Sequence, residues 1–111
     1  MPPVDLTRLR EASMADEEFL REIVDLFLDD TPKQLNALRQ AIEAQDSSGV
    51  RTGAHRLKGA SVNIGAQPFS NICWKLEQIG KQGQLEQAPM LLRDLDSEFR
   101  RLQDFLTHLP A

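Results

Sequence analysis

The sequence predicts an all-α protein, an antiparallel four-helix bundle with a short extra N-terminal helix. Three observations predict this fold class. Apolar residues recur at intervals of three and four along nearly the whole chain, which is the period of an α-helix. No period-2 alternation typical of a strand extends beyond a few residues, and the chain contains no tyrosine. Its 111 residues, 41% of them hydrophobic, suffice for a single core, so we expect one domain over residues 1–111.

The first two helices follow from the pattern of residues 5–43. Residues 5–13 are predicted to form the short leading helix. Thr31 could cap a new helix with Pro32 at its first position, or Pro32 could kink one long helix; the sequence permits both, and we favour the kinked continuation. The apolar stripe on either side of this point consists of Phe19, Ile23, Val24, Phe27, Leu35, Leu38 and Ile42.

Three further helices follow polar or glycine-containing breaks. Residues 46–48 offer side-chain oxygens for capping, so a helix is expected from about Ser48 to Ile64, closed by Gly65. Pro68 suits the start of the next helix, which the segment GKQGQ at 80–84 ends. The apolar side of that helix consists of Phe69, Ile72, Cys73, Leu76 and Ile79. The last helix has the most regular spacing, with Leu85, Ala88, Leu92, Leu95, Phe99, Leu102 and Leu106.

Charge and composition argue against several classes of function. The net charge is -4 and the 13 basic residues are scattered along the chain, which argues against a nucleic-acid partner. The lone Cys73 cannot form an internal disulfide, and no apolar stretch reaches the length of a signal sequence or a membrane span. We therefore expect a cytoplasmic monomer that does not engage a membrane, although a tethered fragment of a larger membrane protein would look the same.

The stretch AHRLKGASVNIGA at 54–66 contains the residues with the most chemical potential. At 100° per residue, the apolar residues Val50, Leu57 and Ile64 lie about 180° to 220° from His55. The imidazole is therefore predicted to point away from the core. The residues that share its face, within about 60°, are Arg51, Lys58, Gly59 and Val62.

Gly59 requires an explanation, because a glycine inside a helix costs roughly 1 kcal/mol relative to alanine. On the face of His55, it clears space beside the imidazole ring. A neutral imidazole, with a usual pKa of about 6.5, can act as a nucleophile toward a phosphoryl group. Lys58, one turn away, can neutralise the resulting negative charge through a charge-assisted hydrogen bond. The three residues together predict transient phosphoryl carriage.

The motif alanine-His-x-x-Lys-Gly-small-small, followed by Gly-Ala, resembles the histidine-containing phosphotransfer (HPt) domain family. The resemblance covers nearly the whole chain: FLREIVDLFLDDTPKQLNALRQAI resembles the family's entry helices, NICWKLE its next helix and LLRDLDSEFRRLQDFL its final one. It implies that His55 accepts a phosphoryl group from a receiver-domain aspartate and passes it to another receiver. Lys58 and Gly59 carry over as charge neutraliser and access residue.

The resemblance also implies the partners and the accessory groups. The partners are receiver domains of response regulators and hybrid sensor kinases, and the chain has no kinase activity and no cofactor of its own, with Mg²⁺ expected on the receiver. Glu77 matches the position whose side chain hydrogen-bonds the imidazole in the family. From spacing alone, Glu77 either reaches the neighbouring helix or is a solvated carboxylate. Lys81, one turn on, is a weaker candidate for lending positive charge, and Arg51 and Val62 are expected to face the partner.

The same residues argue against two competing functions and leave a third open. A metal-binding bundle requires histidines and carboxylates three or four apart, whereas His55 has Thr52 before it and Gly59 after it. A histidine kinase dimerisation domain would have an acidic residue in place of Arg56, and no nucleotide-binding loop is present. The remaining alternative is a non-catalytic docking module in which His55 is incidental. The residues interpreted as lacking a chemical role are Cys73 and Trp74, as packing residues, and His108, as a terminal residue without a partner.

Overall fold

The structure, a computed structural model, describes residues 2–109 and consists of five α-helices joined by short turns. They are α1 (Leu6–Ala12), α2 (Glu17–Glu43), α3 (Ser47–Asn63), α4 (Gln67–Gln82) and α5 (Ala88–Thr107). The described range contains no strand. The all-α fold class and the short leading helix are therefore confirmed.

The four long helices close into a bundle around one core. Helix α3 packs against α2 and α4, helix α5 packs against α4 and α2, and α1 lies against α2 and α3. At the centre, the rings of Phe27, Phe69 and Phe99 have centroids 6.1 to 6.4 Å apart. Because α1, α2 and α4 all pack against α3, the outward face of α3 is the part that remains open to a partner.

Aspartates start three of the helices. The side chains of Asp5, Asp16 and Asp46 each accept hydrogen bonds from backbone N–H groups in the first turn that follows. Asp46 is thus the cap of α3, which begins one residue earlier and ends one residue earlier than predicted. The chain then turns at Gly65, whose φ of +75° is the conformation expected of a glycine that closes a helix.

Helix α2 runs without interruption through Pro32, so the predicted continuation of the helix is confirmed, while the kink at Pro32 stays a prediction. Thr31 is buried inside this helix and does not cap a new one. Phe19, the first residue of the predicted apolar stripe, is exposed, so this part of the prediction is wrong. Helix α2 has 27 residues and α3 has 17, so the first turns of α2 have less of its neighbour to pack against.

Gly80 allows α3 and α4 to approach each other closely. A Cβ atom at Gly80 would lie 2.7 Å from the backbone nitrogen of Arg51 and 3.0 Å from the backbone oxygen of Ser47. The segment 80–84 does end α4, as predicted, but the turn is made by Gly83 at a φ of +69°, while Gly80 lies inside the helix. The packing role of Gly80 was not expected from the sequence.

Two of the helical glycines, Gly80 and Gly59, should therefore respond in opposite ways to alanine. Gly80→Ala forces the backbones of α3 and α4 apart, and overpacking of this kind costs about 1–3 kcal/mol. Gly59→Ala has no neighbour within 4 Å of the added Cβ and should raise the free energy of unfolding by up to about 1 kcal/mol. Urea denaturation followed by circular dichroism measures both, and equal effects of the two substitutions would contradict this account.

Candidate functional site

His55 lies on the outward face of α3, as the helical phase predicted. Its side chain is 68% exposed, whereas Val50 and Leu57 on the same helix are completely buried. The imidazole is therefore accessible to a second protein without any rearrangement of the bundle.

Helix α4 presents the side chain of Glu77 to this face of α3. The Glu77 carboxylate is buried, with Oε2 3.1 Å from Nδ1 of His55 and Oε1 2.6 Å from Nζ of Lys58. Of the two alternatives for Glu77, contact with the neighbouring helix is thus correct and the solvated surface carboxylate is wrong. The close approach at Gly80, one turn further along α4, brings the two helices near enough for these contacts.

The surroundings of Glu77 favour its ionised form. Its pKa is lowered from the usual value of 4.5, first by the contact with Lys58 and then by that with His55, while burial acts in the opposite direction. The carboxylate is therefore charged at neutral pH. Because the pKa is lowered in the folded state, the stabilisation it reflects is present above about pH 4.5 and is lost as the pH falls through the lowered value.

The ionised carboxylate determines which nitrogen of His55 carries the proton. A carboxylate can only accept hydrogen bonds, so Nδ1 of the neutral imidazole must be the donor. The lone pair then resides on Nε2, on the far side of the ring. The site thus holds an exposed nucleophilic nitrogen whose orientation and tautomer are fixed by a buried group.

The other residues predicted for the site lie around this triad of His55, Glu77 and Lys58. Gly59 has no atom within 4 Å of an added Cβ, so the space beside the imidazole is open. Arg51 and Val62 are exposed on α3, as expected of residues that face a partner. Lys81 is exposed on α4 and does not take part in the contacts of Glu77.

Two residues given no chemical role differ from their interpretation, and a third agrees with it. Trp74 is 52% exposed, so its interpretation as a packing residue is wrong. His108 was expected to have no partner, yet its Nδ1 lies 2.6 Å from the backbone oxygen of Asp104, a contact that the four-residue spacing could have indicated. Cys73 is fully buried as predicted, and burial raises the pKa of its thiol to about 12.

The described residues contain neither a candidate metal site nor a candidate membrane span. Within residues 2–109 no group of three or more histidine, cysteine, aspartate and glutamate side chains could hold a metal ion. No helix in this range is long and apolar enough to cross a membrane.

Comparison with known proteins gives consistent matches. Residues 22–109 match the Hpt domain family. Histidine-containing phosphotransfer protein 5 of Arabidopsis thaliana is 30% identical over 108 residues, which cover 95% of this chain and 68% of that protein. The phosphorelay intermediate protein rdeA of Dictyostelium discoideum is 30% identical over 101 residues, which cover 87% of this chain but only 40% of that protein.

A solved structure has the same fold. The crystal structure of histidine-containing phosphotransfer protein B (HptB) from Pseudomonas aeruginosa PAO1 superposes with a TM-score of 0.91 at 29% sequence identity. The match covers 96% of this chain and 92% of that one. The likeness in fold therefore extends over nearly the whole chain.

The contact between Lys58 and Glu77 can be tested by titration. Lys58→Met keeps most of the side-chain stem but removes the cation, so burial should then dominate and the pKa of Glu77 should rise. Carboxyl ¹³C NMR of Glu77 across the acid range measures this change. Lys75→Met, on the same helix as Glu77, is the matched control, and an unchanged Glu77 pKa in Lys58→Met would contradict the assigned cause.

Proposed function

We propose that this chain, which belongs to the Hpt domain family, is a phosphorelay carrier that receives a phosphoryl group on His55 and hands it on. The donor is an aspartyl phosphate on one receiver domain and the acceptor is an aspartate on another. One observation carries the proposal: an exposed imidazole has its Nδ1 held by the buried, ionised carboxylate of Glu77. The relatives named above, a phosphotransfer protein and a phosphorelay intermediate, support it.

The chemistry requires only the groups at this face and the partner's phosphoaspartate. The lone pair of Nε2 forms a bond to phosphorus, the P–O bond to the aspartate breaks, and the aspartate leaves as a carboxylate with the bonding electrons. The proton on Nδ1 stays, so the ring gains a positive charge during the attack. The Glu77 carboxylate, 3.1 Å from Nδ1, stabilises that charge. Transfer to the next receiver runs the same steps in reverse.

Lys58 contributes positive charge on two sides of the site. Its ammonium pairs with Glu77, which keeps the carboxylate ionised and in place for His55. Being one turn from His55 and 27% exposed, the same ammonium also offsets the negative charge of an incoming phosphoryl group. Loss of Lys58 should thus slow transfer through both effects.

The remaining parts of the proposal concern partners and location. The chain has no kinase activity of its own, works as a monomer in the cytoplasm, and meets receiver domains of response regulators and hybrid sensor kinases. The Mg²⁺ that phosphoryl transfer requires is supplied by the receiver, so the chain needs no cofactor. The competing function, a docking module without chemistry, predicts binding of the same partners without uptake of phosphate.

The two histidines provide the decisive test. On incubation with a ³²P-labelled receiver domain, His55→Gln should lose all acid-labile label, while His108→Gln should be labelled as the parent is. Glutamine offers an amide N–H group toward Glu77 in place of the imidazole N–H, and His55 lies off the core, so the variant should remain folded. Label retained in His55→Gln, or absent from the parent with every receiver tried, would contradict the proposal.

A series at Gly59 tests access to the imidazole. Gly59→Ala adds a methyl group beside the ring, and Gly59→Gln adds a whole side chain. Because transfer requires the reacting atoms to come within roughly 3 to 3.5 Å, its rate should fall progressively from glycine to alanine to glutamine. Single-turnover kinetics and thermal melting measure rate and stability together. A destabilised but fully active Gly59→Gln would show that the glycine serves packing instead.

A further inference from the structure

Trp74 is exposed, whereas the rings of Phe27, Phe69 and Phe99 are buried in the core. It is the only tryptophan of the chain, and 52% of it is accessible to solvent. Tryptophan is among the residues most enriched where binding energy is concentrated in protein interfaces. Trp74 can belong to the same binding surface as His55 only if the two residues lie on the same side of the bundle.

Trp74 borders the face that carries His55. On α4 it lies about 60° from Glu77, on the side opposite the core residues Phe69 and Leu76. It precedes Glu77 by three residues, or about 4.5 Å along the helix axis. Since Gly80 contacts α3 nearer its start than Glu77 does, the two helices run antiparallel, and Trp74 lies level with the turn of α3 that follows Lys58.

The same helix pair is positively charged within an acidic protein. Of the 13 basic and 17 acidic residues, the segment 47–82 has five basic ones and a single acidic one, which gives +4 there and −8 in the remainder. The acidic residue is Glu77, which is buried and paired with Lys58. The basic residues are Arg51, Arg56, Lys58, Lys75 and Lys81.

We propose that Trp74 is the apolar anchor of the docking surface for the receiver domain, and that Arg51 and Lys81, on the other side of His55 along the helix pair, form a basic edge of that surface. This inference rests on the proposed function and extends it from the α3 residues to α4. A receiver that holds Mg²⁺ beside its phosphorylated aspartate must present several carboxylates, because Mg²⁺ is bound by oxygen ligands. Such an acidic surface complements the positive face of α3 and α4, and attraction of this kind raises the rate of association.

Trp74 is thus a specificity-determining residue that takes no part in the chemistry. It should contribute to the affinity for a receiver, whereas the rate of transfer inside the complex depends on the triad. In single-turnover transfer measured at increasing receiver concentration, Trp74→Ala should raise the half-saturating concentration and leave the maximal rate unchanged. A residue important only for folding would not produce this split.

Affinity is measured by isothermal titration calorimetry with a receiver domain that labels the parent protein. Trp74→Ala should raise Kd at least about tenfold, and Trp74→Phe should restore part of the loss. The matched control is Met90→Ala on α5, because Met90 is 48% exposed and α5 does not pack against α3. Its Kd should stay within about twofold of the parent. Circular dichroism checks that each variant is folded.

Two further readouts use the same complex. The emission of Trp74 should shift to the blue and become protected from acrylamide when a tryptophan-free receiver is added. Lys81→Gln should reduce the salt dependence of association more than Lys75→Gln, which alters the opposite side of the same helix, about 160° from Glu77.

The outcomes separate this inference from the function on which it rests. If the parent is labelled on His55 but Trp74→Ala binds the receiver as tightly as the parent does, the anchor is wrong and the carrier function stands. An equal loss in Met90→Ala also overturns the anchor. If the parent takes no label from any receiver, the carrier function itself fails.

Discussion

The buried carboxylate of Glu77 is the interaction on which the site depends. It is the one acidic side chain of α3 and α4, and it contacts both a cation and the imidazole. A buried charge is stable only when it is paired, so the bundle must keep Lys58 and His55 beside it. The same pairing also holds the imidazole of His55 in one tautomer and one orientation. The contacts that stabilise the Glu77 carboxylate are therefore the same ones that orient the imidazole for reaction.

The bundle serves this interaction by supplying two rigid elements at a fixed separation. His55 and Lys58 lie one turn apart on α3, and Glu77 reaches them from α4 because a glycine lets the two backbones approach. Sites on helices are held more precisely than sites on loops. The imidazole nevertheless remains at the surface, where the proposed transfer requires it. The result is a well-ordered imidazole without an enclosing pocket.

The fold and the position of His55 could be predicted from the sequence because both depend on helical periodicity. The periodic apolar residues set the helices, and the same phase placed His55 opposite Val50 and Leu57. The role of Gly80 could not be predicted, because a glycine in GKQGQ looks like a helix stop until the neighbouring backbone is known. For Glu77, spacing alone allowed two positions, and only the register between α3 and α4 distinguishes them. The prediction that Trp74 packs in the core was wrong because large apolar residues are usually buried, whereas its phase on α4 places it opposite Phe69 and Leu76.

The order of the elements has a consequence for how the protein folds. His55 and Glu77 are only 22 residues apart in the sequence, and α3 and α4 are joined by a turn of three residues. Contacts between near neighbours in the chain require little loop closure, and domains rich in them fold quickly. The pair of helices that forms the site can thus assemble as a hairpin before α5 is in place. In a chain emerging from the ribosome, the face that carries His55 would begin to form while the last helix is still being synthesised.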